Sequence, residues 1–233
     1  MGKDMKQFFL RLACSMAALL PASSVLAADL VEDLRPATYD WSGPYAGVFI
    51  GGITQTGTYD TTCALCAVGT RELNGYGWNG GVLAGWNYQI DTFVMGIEGD
   101  WAFGGNVADN NSPAELTHMD FNNIATLRAR AGMAFDNTLF YATGGFAAVD
   151  TKFSTDDYAG AASDDSKWLN GWVIGGGIEH AFSDSLTARL EYTYMSVSDE
   201  TYTFVNGANT LDVQNSFDGI YQIRAGMTYN FGW

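Results

Sequence analysis

The chain has 233 residues, 28 of them glycine and 4 proline, with 14% aromatic residues, 16% charged residues and a net charge of −15. Such acidity excludes nucleic acid as a partner, because that needs a basic footprint. A charge-poor, glycine-rich, aromatic-rich composition fits neither a disordered chain nor a helical domain, in which each interior glycine costs ~1 kcal/mol, and the length suits one domain.

Lys3, Lys6 and Arg11 precede an alanine-rich apolar run over residues 12–20, followed by Pro21 and then Val25-Leu26-Ala27. A basic start, a short apolar run and a small-residue site read as a secretory signal peptide over residues 1–27. The run falls short of the ~20 apolar residues that a spanning helix needs. Cys14 leaves with this segment, before most of the apolar run and in a poor context for a lipoprotein. The leader holds Lys3, Lys6 and Arg11 against Asp4, a net +2, so the remainder is near −17. Residues 28–40 are acidic and contain Pro36, and they read as a periplasmic lead-in.

From Trp41 onward the pattern changes to strands. Eight are expected, near residues 45–57, 76–89, 92–103, 123–135, 138–149, 169–182, 186–197 and 219–233. Each is close to the ~9–11 residues of a tilted membrane-spanning strand. No stretch past the leader is apolar enough for a spanning helix, so any membrane insertion is as a closed barrel, which leaves no backbone group unpaired in lipid.

The connections alternate. Gln89-Ile90-Asp91, Asp136-Asn137 and Ser183-Asp184-Ser185 are tight turns, whereas residues 58–75, 104–122, 150–168 and 198–218 read as long polar loops. Cys63 and Cys66 fall in the first loop and are expected to form a small disulfide ring, since a redox Cys-x-x-Cys normally opens a helix and two thiols are too few for zinc.

The last strand carries the clearest alternation. Tyr221, Ile223, Ala225, Met227, Tyr229, Phe231 and Trp233 share one face, and Gln222, Arg224, Gly226, Thr228, Asn230 and Gly232 share the other. A period of two with one greasy and one wet face suits a barrel with lipid outside and a polar interior. Tyr229, Phe231 and Trp233 read as the assembly signal. The same division recurs at Val82, Ala84, Trp86 and Tyr88, at Met95, Ile97, Trp101 and Phe103, at Leu127, Ala129, Ala131 and Met133, at Trp172, Ile174 and Ile178, and at Leu190, Tyr192 and Tyr194. The first and fifth strands are apolar or glycine on both faces and do not declare an inside.

The wet faces collect four acids and four arginines: Glu98, Asp100, Glu179 and Glu191 against Arg128, Arg130, Arg189 and Arg224. The interior of an eight-stranded barrel is just wide enough for side chains to fill. Charges there must pair, because an uncompensated buried ion costs several kcal/mol. The set therefore reads first as a structural salt-bridge plug and second as a gated, very narrow ion path.

Catalytic chemistry finds little support. His118 and His180 belong to opposite rims and cannot share a metal or a triad. Ser112, Glu115 and His118 are close in sequence, but a loop preorganises a hydrolytic triad poorly. His118 is also the one haemin-ligand candidate. Asp156-Asp157 and Asp164-Asp165 lack the glycine and spacing of a calcium loop. No enzyme activity, cofactor or metal is expected.

Several segments resemble the small OmpA-like surface proteins of alphaproteobacteria, a group that includes RopB-like outer-membrane antigens and haemin-binding, porin-like surface proteins. They are Trp41-Ser42-Gly43-Pro44-Tyr45-Ala46-Gly47, Gly80-Gly81-Val82-Leu83-Ala84-Gly85-Trp86-Asn87, Gly96-Ile97-Glu98-Gly99-Asp100, Tyr141-Ala142-Thr143-Gly144-Gly145, Gly171-Trp172-Val173-Ile174-Gly175-Gly176-Gly177-Ile178-Glu179 and Ala188-Arg189-Leu190-Glu191-Tyr192. The resemblance runs over the whole chain past the leader and implies no catalytic residues. Trp233 stands where the group usually has phenylalanine, and Cys63 and Cys66 are not features of it.

The expectation is an all-β, eight-stranded antiparallel up-and-down barrel over residues 41–233, integral to the outer membrane, with short periplasmic turns and long extracellular loops. Its function is that of a structural, porin-like surface protein, with a haemin receptor and a small-solute pore as alternatives. Trp78, Trp86, Trp101, Trp172, Tyr229, Phe231 and Trp233 are the aromatic-girdle candidates. The expected partners are outer-membrane lipid and lipopolysaccharide, the barrel-assembly machinery during insertion, and haemin or host surface molecules at the loops. A monomer is expected.

Overall fold

The computed structural model describes residues 39–63, 69–104, 106–109, 116–158, 161–198, 200–206 and 209–232. Ten strand segments make one antiparallel sheet: β1 (Gly43–Cys63), β2 (Gly69–Ile90), β3 (Phe93–Phe103), β4 (Asn106–Asp109), β5 (Leu116–Phe135), β6 (Thr138–Tyr158), β7 (Ala161–Ala181), β8 (Leu186–Val197), β9 (Glu200–Asn206) and β10 (Asn209–Asn230). β2 and β3, β5 and β6, β6 and β7, and β7 and β8 pair as sequence neighbours, and β1 closes on β10 from Tyr45 opposite Asn230 to Cys63 opposite Leu211.

The ten segments are eight staves. β4 lies between β2 and β5 as β3 does. On β10, β9 continues the register of β8, with Met195 opposite Ile220 and Glu200 opposite Asn215. Closure leaves no edge strand in the bilayer. No helix among the described residues is long and apolar enough to cross a membrane.

The alternation is realised as the sequence predicts. Val82, Trp86, Tyr88, Ile97, Leu127, Ile174, Leu190, Ile223 and Met227 stand exposed on the outside, while Leu83, Asn87, Glu98, Arg128, Glu179, Glu191, Gln222 and Arg224 are buried within. The structure also assigns the two strands the sequence leaves open. β1 points Tyr45, Phe49 and Ile53 inward and Val48 and Ile50 outward, and β6 points Leu139, Tyr141 and Thr143 inward and Phe140 and Phe146 outward.

The short turns fall where expected. Asp91 and Asp136 take the left-handed conformation at φ 53° and 51°, which aspartate tolerates better than most residues. Between β7 and β8, the Ser183 hydroxyl accepts the Leu186 backbone N–H at 3.1 Å.

The long connections are a correction. Residues 58–63, 69–75, 116–122, 150–158, 161–168, 200–206 and 209–218 were expected to be loop and are strand, continuing the spanning staves past the bilayer. His118, placed by the sequence in a loop, lies in β5 opposite Asp109 and Ser154. The signal is lost for a physical reason. Beyond the membrane both faces meet water, so the greasy-and-wet alternation weakens to short stretches, such as Tyr202 and Phe204 opposite Val213 and Leu211, while the ladder hydrogen bonds persist.

A second difference is at the N-terminal side. Tyr39 falls within the expected lead-in, yet it packs with Trp41, Val94, Ala134, Leu139, Tyr141 and Ala181 in a buried cluster at the periplasmic mouth. The Trp41 backbone N–H donates to the Gln89 side-chain carbonyl at 2.8 Å, and the Gln89 backbone N–H donates to the Ser42 hydroxyl at 3.1 Å. Trp41 is 1% exposed and meets the Tyr39 ring edge-on at 4.7 Å.

Candidate functional site: the charged lumen

The eight charged residues singled out by the sequence meet inside the barrel, and all are buried. Register brings them together first. Glu98 stands opposite Arg128, Glu179 opposite Arg189, and Glu191 opposite Arg224. Inward-facing side chains at opposed positions on adjacent strands are neighbours, so the alternation delivers each of these acids to an arginine before any long-range packing.

The finer pairing crosses the lumen. Glu98 is the hub: it takes a short charge-assisted bond from Arg128, accepts from Arg189 Nη1 at 2.6 Å and from the Tyr45 hydroxyl at 2.9 Å, and lies 3.7 Å from both Arg130 and Arg224. Arg128 also donates to Glu191 at 2.7 Å and to Asp100 at 2.9 Å. Glu191 further accepts from Arg224 Nε at 2.8 Å, with Nη2 of the same guanidinium 2.6 Å away, and from the Tyr141 hydroxyl at 2.7 Å. Arg130 donates to Glu179 at 2.8 Å, and the Thr187 and Thr228 hydroxyls donate to the other oxygen of that carboxylate at 2.6 and 2.8 Å. Rings support the cations: Arg130 sits 4.1 Å over Tyr141 and Arg224 sits 4.6 Å over Phe49.

Four carboxylates against four guanidiniums leave no net charge, and each ion is hydrogen-bonded, the condition under which charges are tolerated out of water. Apolar side chains close both sides. Toward the periplasm lies the Tyr39–Trp41 cluster. Toward the outside, Ile53, Ile124, Val149, Leu169, Met195 and Ile220 point inward at 0–2% exposure. An uncharged layer joins them, in which Gln222 donates to Asn79 at 2.9 Å.

Sequence reasoning missed the tyrosines and the periplasmic cluster. Tyr45 and Tyr141 lie on the two strands without a declared inside. Their partners in parity mix small or polar residues, Gly47, Gly51, Thr143 and Gly145, with the apolar Phe49, Ile53, Leu139 and Val149, while Val48, Ile50, Phe140 and Phe146 hold the opposite face, so apolar side chains stand on both faces and neither is marked as the inside. Trp41 and Tyr39 carry no signal, because a buried plug and an exposed lead-in look alike over so few residues.

The other candidates are not brought to this site. Tyr229 and Phe231 stand on the lipid face with rings 5.2 Å apart, and Trp233 lies outside the described residues. Of the remaining girdle candidates, Trp78, Trp86, Trp101 and Trp172 are exposed on the outside. Cys66, Ser112 and Glu115 lie outside the described residues, as do the side chains of Cys63, His118, Asp156, Asp157, Asp164 and Asp165. His180 is exposed on the outer face at the periplasmic end, 2.9 Å from the Thr138 hydroxyl and edge-on to Phe182. Among the described residues no three histidine, cysteine or acidic side chains gather in a metal-binding arrangement.

The comparisons with known proteins agree with this architecture. A family model described as "Outer membrane protein beta-barrel domain" matches residues 15–231. The 25 kDa outer-membrane immunogenic protein of Brucella abortus is 30% identical over 227 residues, covering 92% of this chain and 95% of that protein. The 31 kDa outer-membrane immunogenic protein of Brucella melitensis is 31% identical over 246 residues, covering 93% of this chain and 97% of that protein. The crystal structure of the outer membrane protein OprG from Pseudomonas aeruginosa matches 84% of this chain and all of its own, with a TM-score of 0.54 at 14% identity, a likeness of fold. The chain belongs to the outer-membrane β-barrel family and is an integral outer-membrane barrel of eight staves whose outer face contacts membrane lipid.

Proposed function

We propose that this barrel is a non-catalytic structural surface protein: a sealed, lipid-anchored tube that stabilises the outer membrane and presents long hairpins outside the cell. The observation that carries this reading is the filled interior, a balanced charge network held between two apolar layers. Permeation would require ions to break paired contacts and to cross side chains such as Trp41 and Ile220 that exclude water. The extension of the staves past the bilayer supports the second half of the reading, because it lifts the hairpin tips away from the lipid surface. The Brucella relatives are named immunogenic proteins, which suits a chain whose hairpins are presented to the outside. In this reading residues 1–27 direct export and the alternation ending in Tyr229, Phe231 and Trp233 is read by the barrel-assembly machinery.

The test is conductance of the refolded protein in a planar bilayer, after its unboiled gel band has been shown to shift on heating. A folded protein that passes no unitary current is the expected result. Stable unitary steps would overturn the sealed-lumen reading in favour of a pore.

A further inference from the structure

The barrel does not stay closed above the bilayer. The ladder between β7 and β8 ends at Gly171 opposite Val197, and its last bonds run from the Ser198 backbone N–H and hydroxyl to the Asn170 carbonyl at 3.0 and 2.9 Å. Past that point β7 continues back to Ala161 against β6, and β9 runs from Glu200 to Asn206 against β10. Among the described residues, no strand pairs with the other edge of β9, or with the other edge of β7 between Ala161 and Leu169. A second seam opens between β2 and β4, whose ladder is Tyr76 opposite Val107 and Gly77 opposite Asn106. The staves therefore leave the membrane as two sheets, one of β9, β10, β1 and β2 and one of β4, β5, β6 and β7.

An open edge presents the N–H and C=O groups of alternate residues, which is a template for one more strand. Such edges are ordinarily blunted by charge or by shortness. The β2 edge carries Arg71 and Glu72, the β7 edge carries Asp164, Asp165 and Lys167, and β4 has only 4 residues. The β9 edge is left unguarded. Between Glu200 and Asn206 it reads Thr201-Tyr202-Thr203-Phe204-Val205, all strand formers with neither charge nor proline. Its 7 residues extend over about 20 Å.

Charge decides what this edge takes. Asp199 immediately precedes β9 and Glu200 begins it, while Asp164 and Asp165 belong to β7 across the seam. The chain past the leader is near −17. A second copy of so acidic a chain is repelled, whereas a cationic strand is drawn in. We propose that the free edge of β9 captures an extended, lysine- or arginine-bearing segment of another polypeptide, which adds to the sheet as a further strand. Backbone bonds to alternate residues of β9 hold the segment, and the acids beside the seam select its charge. The inference rests on the hairpins standing outside the cell and not on the sealed lumen, because the seam lies above the bilayer whether or not the bore conducts.

The experiment follows backbone amide exchange, residue by residue, in the full-length barrel refolded in phosphatidylcholine nanodiscs. The probe is an acetylated peptide of alternating lysine and valine, to which the zwitterionic lipid offers no net charge. Without peptide, the amides of Glu200–Asn206 should fall into two alternating sets, slow where they bond β10 and fast where they face the open edge. With peptide at about ten times its Kd, the fast set should slow about tenfold, in proportion to one plus the ratio of free peptide to Kd. The same peptide N-methylated at every amide keeps its charge, lacks the donors, and should give no slowing. Asp164→Asn combined with Asp165→Asn should weaken capture several-fold at low salt and keep the alternation of the slowed amides. Edge amides already slow without peptide overturn the proposal, since the chain itself or a second copy would then cover the edge. So do an absence of slowing, a uniform slowing of β9, slowing on β2 or β7 in its place, or slowing that the N-methylated peptide reproduces, which is adsorption by charge alone. An affinity unchanged in the double variant overturns the assignment of a cationic partner. Conductance of the same preparation is read separately, so a pore would refute the sealed lumen and leave the capture site standing.

Discussion

Glu98→Gln is the sharpest perturbation of the lumen because it changes charge with almost no change of shape. The Glu98 side chain is 2% exposed and lies within 3.7 Å of all four lumen arginines. Glutamine keeps one acceptor but turns an –NH₂ toward cations that cannot shed their protons. If the amide nitrogen takes the position of the oxygen facing Arg189 and Tyr45, those donors at 2.6 and 2.9 Å lose their acceptor; if it takes the other position, Arg128 does. Each stranded buried donor costs about 1–3 kcal/mol, more when charged. Breaking a buried ion pair from one side costs about 3–5 kcal/mol in total, because the remaining charge stays uncompensated. The expected loss of unfolding free energy is therefore about 3–5 kcal/mol, read from reversible urea titration in lipid vesicles by the fraction of heat-shifted band. Asp100→Asn should cost less, since Asp100 meets only Arg128 at 2.9 Å, Arg224 at 3.3 Å and the Thr126 hydroxyl. Adding Arg189→Met to Glu98→Gln removes the stranded cation and should return part of the loss, a coupling of about 0.5–3 kcal/mol. A Glu98→Gln protein within about 0.5 kcal/mol of the parent would behave like an ordinary surface substitution and would refute the dry, interdependent lumen.

Three further outcomes follow from the packing. Trp41→Ala should lower stability by about 3–5 kcal/mol in the same titration, as for a large buried aromatic, and should leave the bilayer silent because the charge network and the outer apolar layer still fill the bore. Gly85→Ala should cost about 1–3 kcal/mol by overpacking, since a Cβ there would meet the Tyr45 ring and the Ile97 carbonyl at 2.6 Å. The outward Gly144→Ala, with 3.6 Å of room, should leave the urea midpoint unchanged.

How much of this was legible depends on where water is. Inside the bilayer the two faces of each strand meet opposite solvents, so Leu127 and Arg128 announce the outside and the inside, and the eight lumen charges could be picked from the sequence by parity alone. The pairing could not, because one residue of slip exchanges the faces while the cross-lumen partners depend on all eight registers at once. Glu179 illustrates this: it stands opposite Arg189, yet its 2.8 Å bond goes to Arg130 on the far side of β6. Above the membrane the contrast weakens, and a strand such as Glu200–Asn206, with only Tyr202 and Phe204 alternating among threonines, is too short to stand out from the polar stretch around it. At the periplasmic mouth Tyr39 and Trp41 are two aromatics in an acidic stretch, and only the apolar space beneath Val94, Leu139 and Ala181 makes them a plug.

The glycine content, which the composition shows without explaining, follows from the same interior. Three inward aromatic side chains each face a glycine in the adjacent strand: Tyr45 opposite Gly85, Phe49 opposite Gly81, and Tyr141 opposite Gly177. A Cβ at Gly81 would lie 2.6 Å from the tip of Phe49, and one at Gly177 would lie 2.8 Å from the Tyr141 hydroxyl. Each aromatic ring thus lies across its neighbour's bare backbone instead of standing straight into the bore. That posture brings the Tyr45 and Tyr141 hydroxyls to Glu98 and Glu191 and sets rings beside Arg130 and Arg224. The glycines are therefore part of the charge network without carrying any charge. A barrel of eight staves has room for four arginines, four acids and these rings only because the strands between them give up their own side chains. With its interior committed to closing itself, the chemistry left for recognition is on the outer face and in the hairpins above it.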